Sequence, residues 1–407
     1  MHLYVHIPFC HRICPYCAFF KHTPASTDMK SFIRALGREA ESRATALATN
    51  REGETTTLYF GGGTPSMLSD THLGRLMETL DRLVPVDKLD EFSFEANPAT
   101  FTEKKVRFWR SLGMTRVSLG VQSLDSGILH LLGREHTPAQ ALHSVEMLKN
   151  AGMAHINMDL MFAIPGQTLS IWEATLKEAV SAGTDHISAY NLTYEEDTEF
   201  FRSLLRGEKR QDPDEDASFF ELAEHMLEAA GMRHYETSNY AREGCLSPHN
   251  MAYWKGEDYV GIGPGAVSTI NGIRYSNTRD TDAYIRSTLE NGLPLSEQEP
   301  VTEEDYRLER IALMLRTDEG LPLKYILPES RPLLEQYREL GLADISPEQR
   351  LILKGRGRLL VDAIAAAIID GTVREGDQVT VDVDKDGGFT VVCDNTPAAT
   401  YEVPDAE

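Results

Sequence analysis

Short apolar runs alternate with helix-like stretches over roughly the first 200 residues, and this alternation restricts the chain to few folds. The predicted strands are residues 3–7, 56–60, 92–95, 116–120, 155–161 and 186–192. The predicted helices between them are residues 29–48, 71–83, 102–112, 138–151 and 171–182. Successive strand–helix units predict a parallel sheet with helices outside it. We therefore expect an α/β fold built on a partial (β/α)6 TIM-like barrel, with its chemistry at the carboxyl ends of the strands.

The rest of the chain divides by composition into further segments. We assign residues 1–240 to the barrel and residues 241–299, rich in Gly and aromatics, to a connecting region. Two helix-like runs, a strand pair and a closing helix predict a winged-helix-like α+β domain over residues 300–369. Residues 370–407 form an acidic tail, in which QVTVDV and FTVV flank Asp-Lys-Asp-Gly-Gly and predict a β-hairpin.

Charge and hydropathy exclude some classes of function. The net charge is −23, which argues against sequence-independent nucleic-acid binding, because such binding needs a surplus of Lys and Arg. No apolar run approaches the ~18 to 20 residues that cross a bilayer, and the N-terminus carries no secretory signal. We therefore expect a cytoplasmic protein that has no nucleic-acid partner.

Three of the five cysteines fall in one short segment. Cys10, Cys14 and Cys17 follow the pattern CxxxCxxC, and in a reducing compartment such a cluster indicates metal binding or redox chemistry. Thiolates favour Fe–S clusters, zinc or copper. Three cysteines would leave one iron of a four-iron cluster open to a small molecule. Zinc is the alternative, and Cys245 or His249 could then supply a fourth ligand.

Polar residues and glycines follow the predicted strands. Gly61, Gly62 and Gly63 precede Thr64 after the second strand, where residues without side chains let a ligand approach the backbone. Several later strands carry or precede a polar residue near the same end: Glu95, Gln122, Arg134 and Asp159. Asp159 lies inside the apolar run INMDLMF, where an unpaired charge would be costly to bury.

The cysteine segment resembles the hallmark of the radical S-adenosylmethionine (SAM) superfamily, CxxxCxΦC, with Tyr16 as the aromatic residue. The resemblance implies a [4Fe–4S] cluster on Cys10, Cys14 and Cys17 whose open iron binds SAM. It also implies that the reduced cluster cleaves SAM to methionine and a 5′-deoxyadenosyl radical. The SAM-binding residues that it implies are Tyr4, Tyr16, Gly62, Gly63, Thr64, Glu95, Gln122, Arg134 and Asp159.

Longer segments resemble the anaerobic coproporphyrinogen-III oxidase-like family, and the resemblance spans about residues 1–369. The segments are HIPFCHRICPYCAF, YFGGGTPSML, FEANP, RVSLGVQSLD, LGREHT, DLMFAIPGQT and HNMAYW. True oxidases of this family carry a further cysteine, where this chain has Phe19, and a long extension before the cluster. Phe19, the short N-terminus and HNMAYW resemble instead the heme chaperone (HemW) branch.

The resemblance to that branch implies a heme-transfer chaperone rather than a coproporphyrinogen III dehydrogenase. His249, Tyr253 and Trp254 are the heme-binding candidates, because imidazole is a common axial ligand and aromatic rings offer flat apolar surface. The implied partners are heme, a heme-acceptor protein and an electron donor of the flavodoxin type. Peripheral membrane association and a homodimer are further expectations. The alternatives are an oxygen-independent coproporphyrinogen III oxidase and a metal-stabilised binding module.

Overall fold

The strands predicted for the barrel are all present in the computed structural model, which describes residues 1–24, 27–47, 55–207, 213–370, 379–383 and 389–393. Contacts among the described residues divide the chain into a larger unit, up to Thr302, and a smaller unit from Glu303 onward. The smaller unit also includes Pro213 and residues 254–256. The α/β barrel-type fold is thereby confirmed.

Within the described residues, the strands of the larger unit form one sheet in the order β12-β11-β10-β9-β1-β2-β3-β4-β5-β6-β8-β7. Neighbours from β1 to β6 are parallel, β9 adds a parallel strand beside β1, and the remaining strands pair antiparallel. The strand bounds are β1 His2–Ile7, β2 Thr57–Gly62, β3 Glu91–Ala96, β4 Arg116–Gln122, β5 His155–Phe162, β6 His186–Asn191, β7 Arg233–Glu236, β8 Asn239–Ala241, β9 Tyr259–Ile262, β10 Val267–Ile270, β11 Ile273–Asn277 and β12 Leu295–Pro300.

Helices follow most of the parallel strands. Their bounds are α1 Met29–Ser42, α2 Ala44–Leu47, α3 Asp70–Leu83, α4 Glu103–Ser111, α5 Ser126–Leu131, α6 Pro138–Asn150, α7 Leu169–Ser181, α8 Glu199–Leu205, α9 Pro213–Ala229, α10 Pro248–Trp254 and α11 Thr281–Asn291. The single helix predicted over residues 29–48 is interrupted at Arg43, whose guanidinium forms a buried ion pair with Glu39 (3.2 Å). None of the described helices is long and apolar enough to cross a membrane.

Alternate residues of the central strands differ in character, because successive side chains of a strand point to opposite faces of the sheet. One face is apolar and fully buried, as at Leu58 and Phe60 of β2 and at Phe92 and Phe94 of β3. The other face carries buried polar side chains that bond to one another across strands, as Tyr59 of β2 does to Glu95 of β3. The barrel interior is therefore polar.

The segment after β8 bonds to the amino ends of several barrel strands. Arg116, the first residue of β4, donates from Nη2 to the carbonyl oxygens of Cys245 (2.9 Å) and Leu246 (2.8 Å). The hydroxyl of Ser247 donates to Glu91, the first residue of β3 (3.0 Å). We call residues 245–253 the base segment, because the starts of parallel strands share one edge of the sheet. The base segment thus lies at the edge opposite the strand ends where the cysteines follow β1.

The smaller unit has its own apolar core. Its described elements are α12 Glu303–Met314, β13 Leu321–Pro322, α13 Arg331–Glu339, β14 Ala343–Ile345, β15 Arg350–Leu353 and α14 Val361–Asp370. The strands order as β13-β15-β14 and pair antiparallel. Ile311, Leu333, Tyr337, Leu351 and Ile364 are among its buried core residues.

The two strands predicted for the tail hairpin pair with each other. Strands β16 (Val379–Val383) and β17 (Phe389–Cys393) pair antiparallel. The Asp-Lys-Asp-Gly-Gly turn predicted between them lies outside the described residues, as do the last residues of the tail.

Candidate functional site

A cavity of about 420 Å³ opens at the carboxyl ends of the barrel strands. Cys10, Cys14 and Cys17 line it together with most of the residues that the sequence predicted for SAM. Those residues are Tyr16, Gly62, Gly63, Thr64, Glu95, Gln122, Arg134 and Asp159. The structure therefore brings the predicted cysteine site and the predicted SAM residues to one place.

Backbone hydrogen bonds hold the loop that carries the cysteines against the sheet. The amide of Cys10 donates to the carbonyl of His22 (3.0 Å), whose own amide donates to Pro8 (2.8 Å). The ring of His6, on β1, bonds to the carbonyl of Phe20 (2.9 Å). The two ends of the loop are thus tied together and to the first strand.

The three cysteines offer soft thiolate donors to one cavity, which is the donor set of an Fe–S cluster. The hydroxyl of Thr64 donates to Cys10 Sγ (3.5 Å), and Nη1 of Arg134 donates to Cys14 Sγ (3.7 Å). Burial raises the pKa of the Cys10 thiol. Among the described residues, no three His, Cys, Asp or Glu side chains are arranged to hold a single metal ion. Cys245, a candidate fourth zinc ligand, lies in the base segment and not in the cavity.

Two glycines at the end of β2 are required by close packing. Gly62 has φ +106°, and a Cβ there would lie 2.5 Å from His6 Nδ1. A Cβ on Gly63 would lie 2.7 Å from the carbonyl oxygen of Phe9. The glycine run therefore lets the end of β2 pass close to β1 and to the residue before Cys10, in addition to exposing backbone to the cavity.

Two buried carboxyl groups face the cavity. Glu95 accepts hydrogen bonds from Tyr59 Oη (2.8 Å) and from the amide of Gly62 (3.1 Å). Desolvation, with a contribution from Asp159, raises the pKa of Glu95 to about 7. Asp159 accepts from Ser118 Oγ (2.9 Å) and Asn157 Nδ2 (2.7 Å), and burial raises its pKa as well. Such a pair favours a ligand that carries positive charge or hydroxyl donors.

Arg134 and Gln122 occupy constrained positions at the same edge. Nη2 of Arg134 donates to Asn97 Oδ1 (2.7 Å) and to the carbonyl of Gly120 (2.6 Å). Gln122 has φ +69° at an irregularity in the β4–β5 pairing. A left-handed backbone is uncommon for a residue other than glycine, and such conformations concentrate at binding sites.

Sequence reasoning missed several lining residues and included one that does not line the cavity. Tyr59, Asn97, Ser118 and Tyr190 line it. Tyr59 and Ser118 each lie two positions before a glycine, Gly61 and Gly120, at the end of a predicted strand. Because side chains two positions apart on a strand share a face, this spacing was a signal that could have found them. Tyr4 does not line the cavity, and its hydroxyl bonds to His6 Nδ1 (3.0 Å).

The heme candidates do not line this cavity either. His249 is buried at 5% exposure, with Nδ1 bonded to the hydroxyl of Thr57 at the start of β2 (2.7 Å). Burial lowers the pKa of His249 to about 3, so the imidazole is neutral. Tyr253 is 44% exposed and its ring packs against Tyr259 (4.6 Å between centroids), whereas Trp254 is half-buried.

Comparison with known proteins shows which family this chain resembles in sequence and fold. Residues 4–179 match the family described as the radical SAM superfamily. The chain is 34% identical to the heme chaperone HemW of Bacillus subtilis over 90% of this chain and 98% of that protein. It is 35% identical to the heme chaperone HemW of Mycobacterium tuberculosis over 90% of this chain and 94% of that protein. A solved structure of coproporphyrinogen III oxidase from Escherichia coli, described as a radical SAM enzyme, superposes with a TM-score of 0.76 at 24% identity. The match covers 90% of this chain and 89% of that one, and it shows a common fold.

Proposed function

The chain belongs to the radical SAM superfamily and to its HemW branch, and from this membership we propose that it is a heme chaperone. We propose that it binds heme and transfers it to an acceptor protein, and that its barrel holds a [4Fe–4S] cluster and SAM. The observation that carries the heme part is 34–35% identity to proteins named heme chaperones over 90% of the chain.

The cofactor part of the proposal relies on the composition of the cavity. Cys10, Cys14 and Cys17 would hold the cluster, while the glycine run, Glu95 and Asp159 would hold SAM. A reduced cluster of this kind supplies an electron to the sulfonium of SAM. The chain's own residues hold the groups that would face the ligand: Arg134 bonds to Cys14 and Asn97, and Tyr59 donates to one oxygen of Glu95.

The location of heme stays a prediction. Tyr253 offers exposed aromatic surface on the base segment, and the remaining candidates are His249 and Trp254. The Nδ1 atom of His249 is engaged by Thr57, so an iron would be bound through Nε2 of the neutral ring. The proposal further includes an electron donor of the flavodoxin type and a cytoplasmic location. Peripheral membrane association and a homodimer also remain predictions.

One anaerobic preparation tests the proposal. The cluster is reconstituted with iron and sulfide, and iron, sulfide and charge-transfer absorbance are measured. The same sample is titrated with heme, followed by its Soret band, and is then mixed with apomyoglobin as a general heme acceptor. We expect cluster formation, saturable heme binding and heme transfer, with no decarboxylation of coproporphyrinogen III in the presence of SAM and a reductant.

Two results would overturn parts of this proposal separately. Failure to bind heme under reducing conditions would remove the chaperone function. Conversion of coproporphyrinogen III with SAM turnover would replace it by the oxidase function. A Cys10→Ser variant should lose the cluster, and Cys245→Ser, outside the cavity, is the matched control that should keep it.

A further inference from the structure

His249 is fixed by two contacts along one strand. Its Nδ1 atom bonds to Thr57 Oγ1 (2.7 Å), and its ring stacks on Tyr59 with 4.8 Å between centroids and 22° between planes. Thr57 and Tyr59 are two residues apart on β2, so their side chains lie on the same, interior face. A single imidazole from the base segment therefore holds two successive interior positions of β2.

Tyr59 carries this constraint to the cavity. Its hydroxyl donates to Glu95 Oε1 (2.8 Å), while the amide of Gly62 donates to the other oxygen (3.1 Å). The ring of Tyr4 also packs on Tyr59, at a longer centroid distance of 6.1 Å. A hydrogen bond to a carboxylate weakens steeply once its distance and angle depart from the optimum, so the ring position of Tyr59 determines how well Glu95 is held.

The hydroxyl of Thr57 connects His249 to the protein surface. The Thr57 hydroxyl also bonds to Nδ1 of His2 (2.9 Å), and Nε2 of His2 bonds to Glu257 (3.0 Å), whose side chain is 49% exposed. A hydroxyl can donate to one histidine and accept from the other. The bond between Thr57 and His249 therefore belongs to a chain of hydrogen bonds that also includes His2 and Glu257.

We infer that His249 is a positioning residue for the cofactor cavity: its ring fixes Tyr59, and Tyr59 fixes the carboxylate of Glu95 that faces the ligand. This role rests on the proposed function only in naming the ligand as SAM. It is independent of whether His249 also binds heme iron. It couples the base segment, at one end of the barrel, to the cavity at the other end.

The test separates the ring of His249 from its polar contact. His249→Leu removes both, His249→Gln keeps a polar group for Thr57 but no ring, and His249→Phe keeps a ring without the hydrogen bond. Asn250→Ala is the control on the same helix, because the side chain of Asn250 makes no hydrogen bond to another described residue. The dissociation constant of SAM is measured by equilibrium dialysis with anaerobically reconstituted protein, after circular dichroism has shown that each variant is folded.

We expect His249→Leu and His249→Gln to weaken SAM binding about tenfold, the effect of losing one hydrogen bond to a charged group. His249→Phe should restore binding to within about threefold of wild type, and Asn250→Ala should match wild type. Tyr59→Phe should weaken binding about as much as His249→Leu, and the double variant should be no worse than Tyr59→Phe alone. If His249→Leu does not fold, His249→Gln carries the same expectation.

Three outcomes would overturn the inference. The first is wild-type SAM affinity in both His249→Leu and His249→Gln. The second is equal weakening by Phe and Leu at this position, and the third is additive losses in the double variant. Failure of the cofactor part of the proposed function would differ from all of these, since wild-type protein would then bind no SAM, and failure of the heme part would leave these SAM measurements unchanged.

Discussion

The close passage of Gly62 against His6, a β1 residue that bonds to the cysteine loop, makes Gly62→Ala a sensitive perturbation. Gly62 has φ +106°, and an alanine Cβ would lie 2.5 Å from His6 Nδ1, so His6 would have to move. His6 also bonds to the carbonyl of Phe20, close behind Cys17. The substitution should therefore affect both the stability of the barrel and the retention of iron.

The magnitude follows from two terms, and the chain offers a control for one of them. A left-handed backbone costs an L-residue about 1–2 kcal/mol. Overpacking adds about 1–3 kcal/mol. Gly166 also has positive φ, +80°, but a Cβ there would meet nothing within 4 Å. Gly62→Ala should therefore lower the free energy of unfolding by about 2–5 kcal/mol, whereas Gly166→Ala should lower it by only the backbone term.

Urea unfolding of the cluster-free protein measures this difference. Fluorescence follows it, because Trp109 and Trp172 are buried in the larger unit. Iron bound after anaerobic reconstitution provides the second measurement, and it should fall for Gly62→Ala and stay at the wild-type level for Gly166→Ala. Equal stability and equal iron content in the two variants would refute the reasoning that His6 connects the glycine run to the cysteine loop.

Other substitutions test the cluster ligands and the buried charges. Cys10→Ser should remove most of the bound iron, measured after reconstitution, while Cys245→Ser should not. Glu91→Gln removes the carboxylate that pairs with the buried guanidinium of Arg116 and should lower the free energy of unfolding, measured in urea, by about 3–5 kcal/mol. In the same assay the exposed Glu103→Gln should cost under about 1 kcal/mol. Burial raises the pKa of Glu95 to about 7, so the folded state keeps a proton that the unfolded state loses near pH 4.3. The melting temperature of Glu95→Gln minus that of wild type should therefore increase as the pH is raised from 5 to 8. A difference that stays constant with pH would contradict this reasoning.

Periodicity predicts this fold well because the apolar half of each barrel strand packs beneath helices. The predicted starts of β4, β5 and β6, at Arg116, His155 and His186, are those observed. Pairing between distant segments leaves no local signal, so the insertion of β9 beside β1 could not be read from periodicity. The short helix α5 was missed for a related reason, since its few residues show too little of a helical period.

The site was predictable to the extent that its residues stand out from their surroundings. Asp159 was noticed as a charge in an apolar run, and it does line the cavity. Tyr59 resembles any aromatic strand residue in sequence, and its bond to Glu95 depends on the β2–β3 register. His249 is buried because the base segment packs against the start of β2. This contact joins residues far apart in the chain, so the local sequence does not reveal it.

The polar barrel interior has consequences for the ligand that the cavity can take. A barrel needed only for stability fills its interior with branched apolar residues, because unpaired buried polar groups are costly. Here two carboxyl groups, Glu95 and Asp159, lie at the cavity. Burial raises the pKa of both, and the charge of Asp159 raises the pKa of Glu95 further. A cation bound between them would favour the ionised form of both and repay part of the desolvation. SAM carries a sulfonium and an ammonium group, whereas heme brings two carboxylates. Glu95 and Asp159 therefore suit the cationic groups of the proposed ligand SAM, whereas a carboxylate of either ligand would need Arg12, Lys21 or Arg134, the basic residues that also line the cavity.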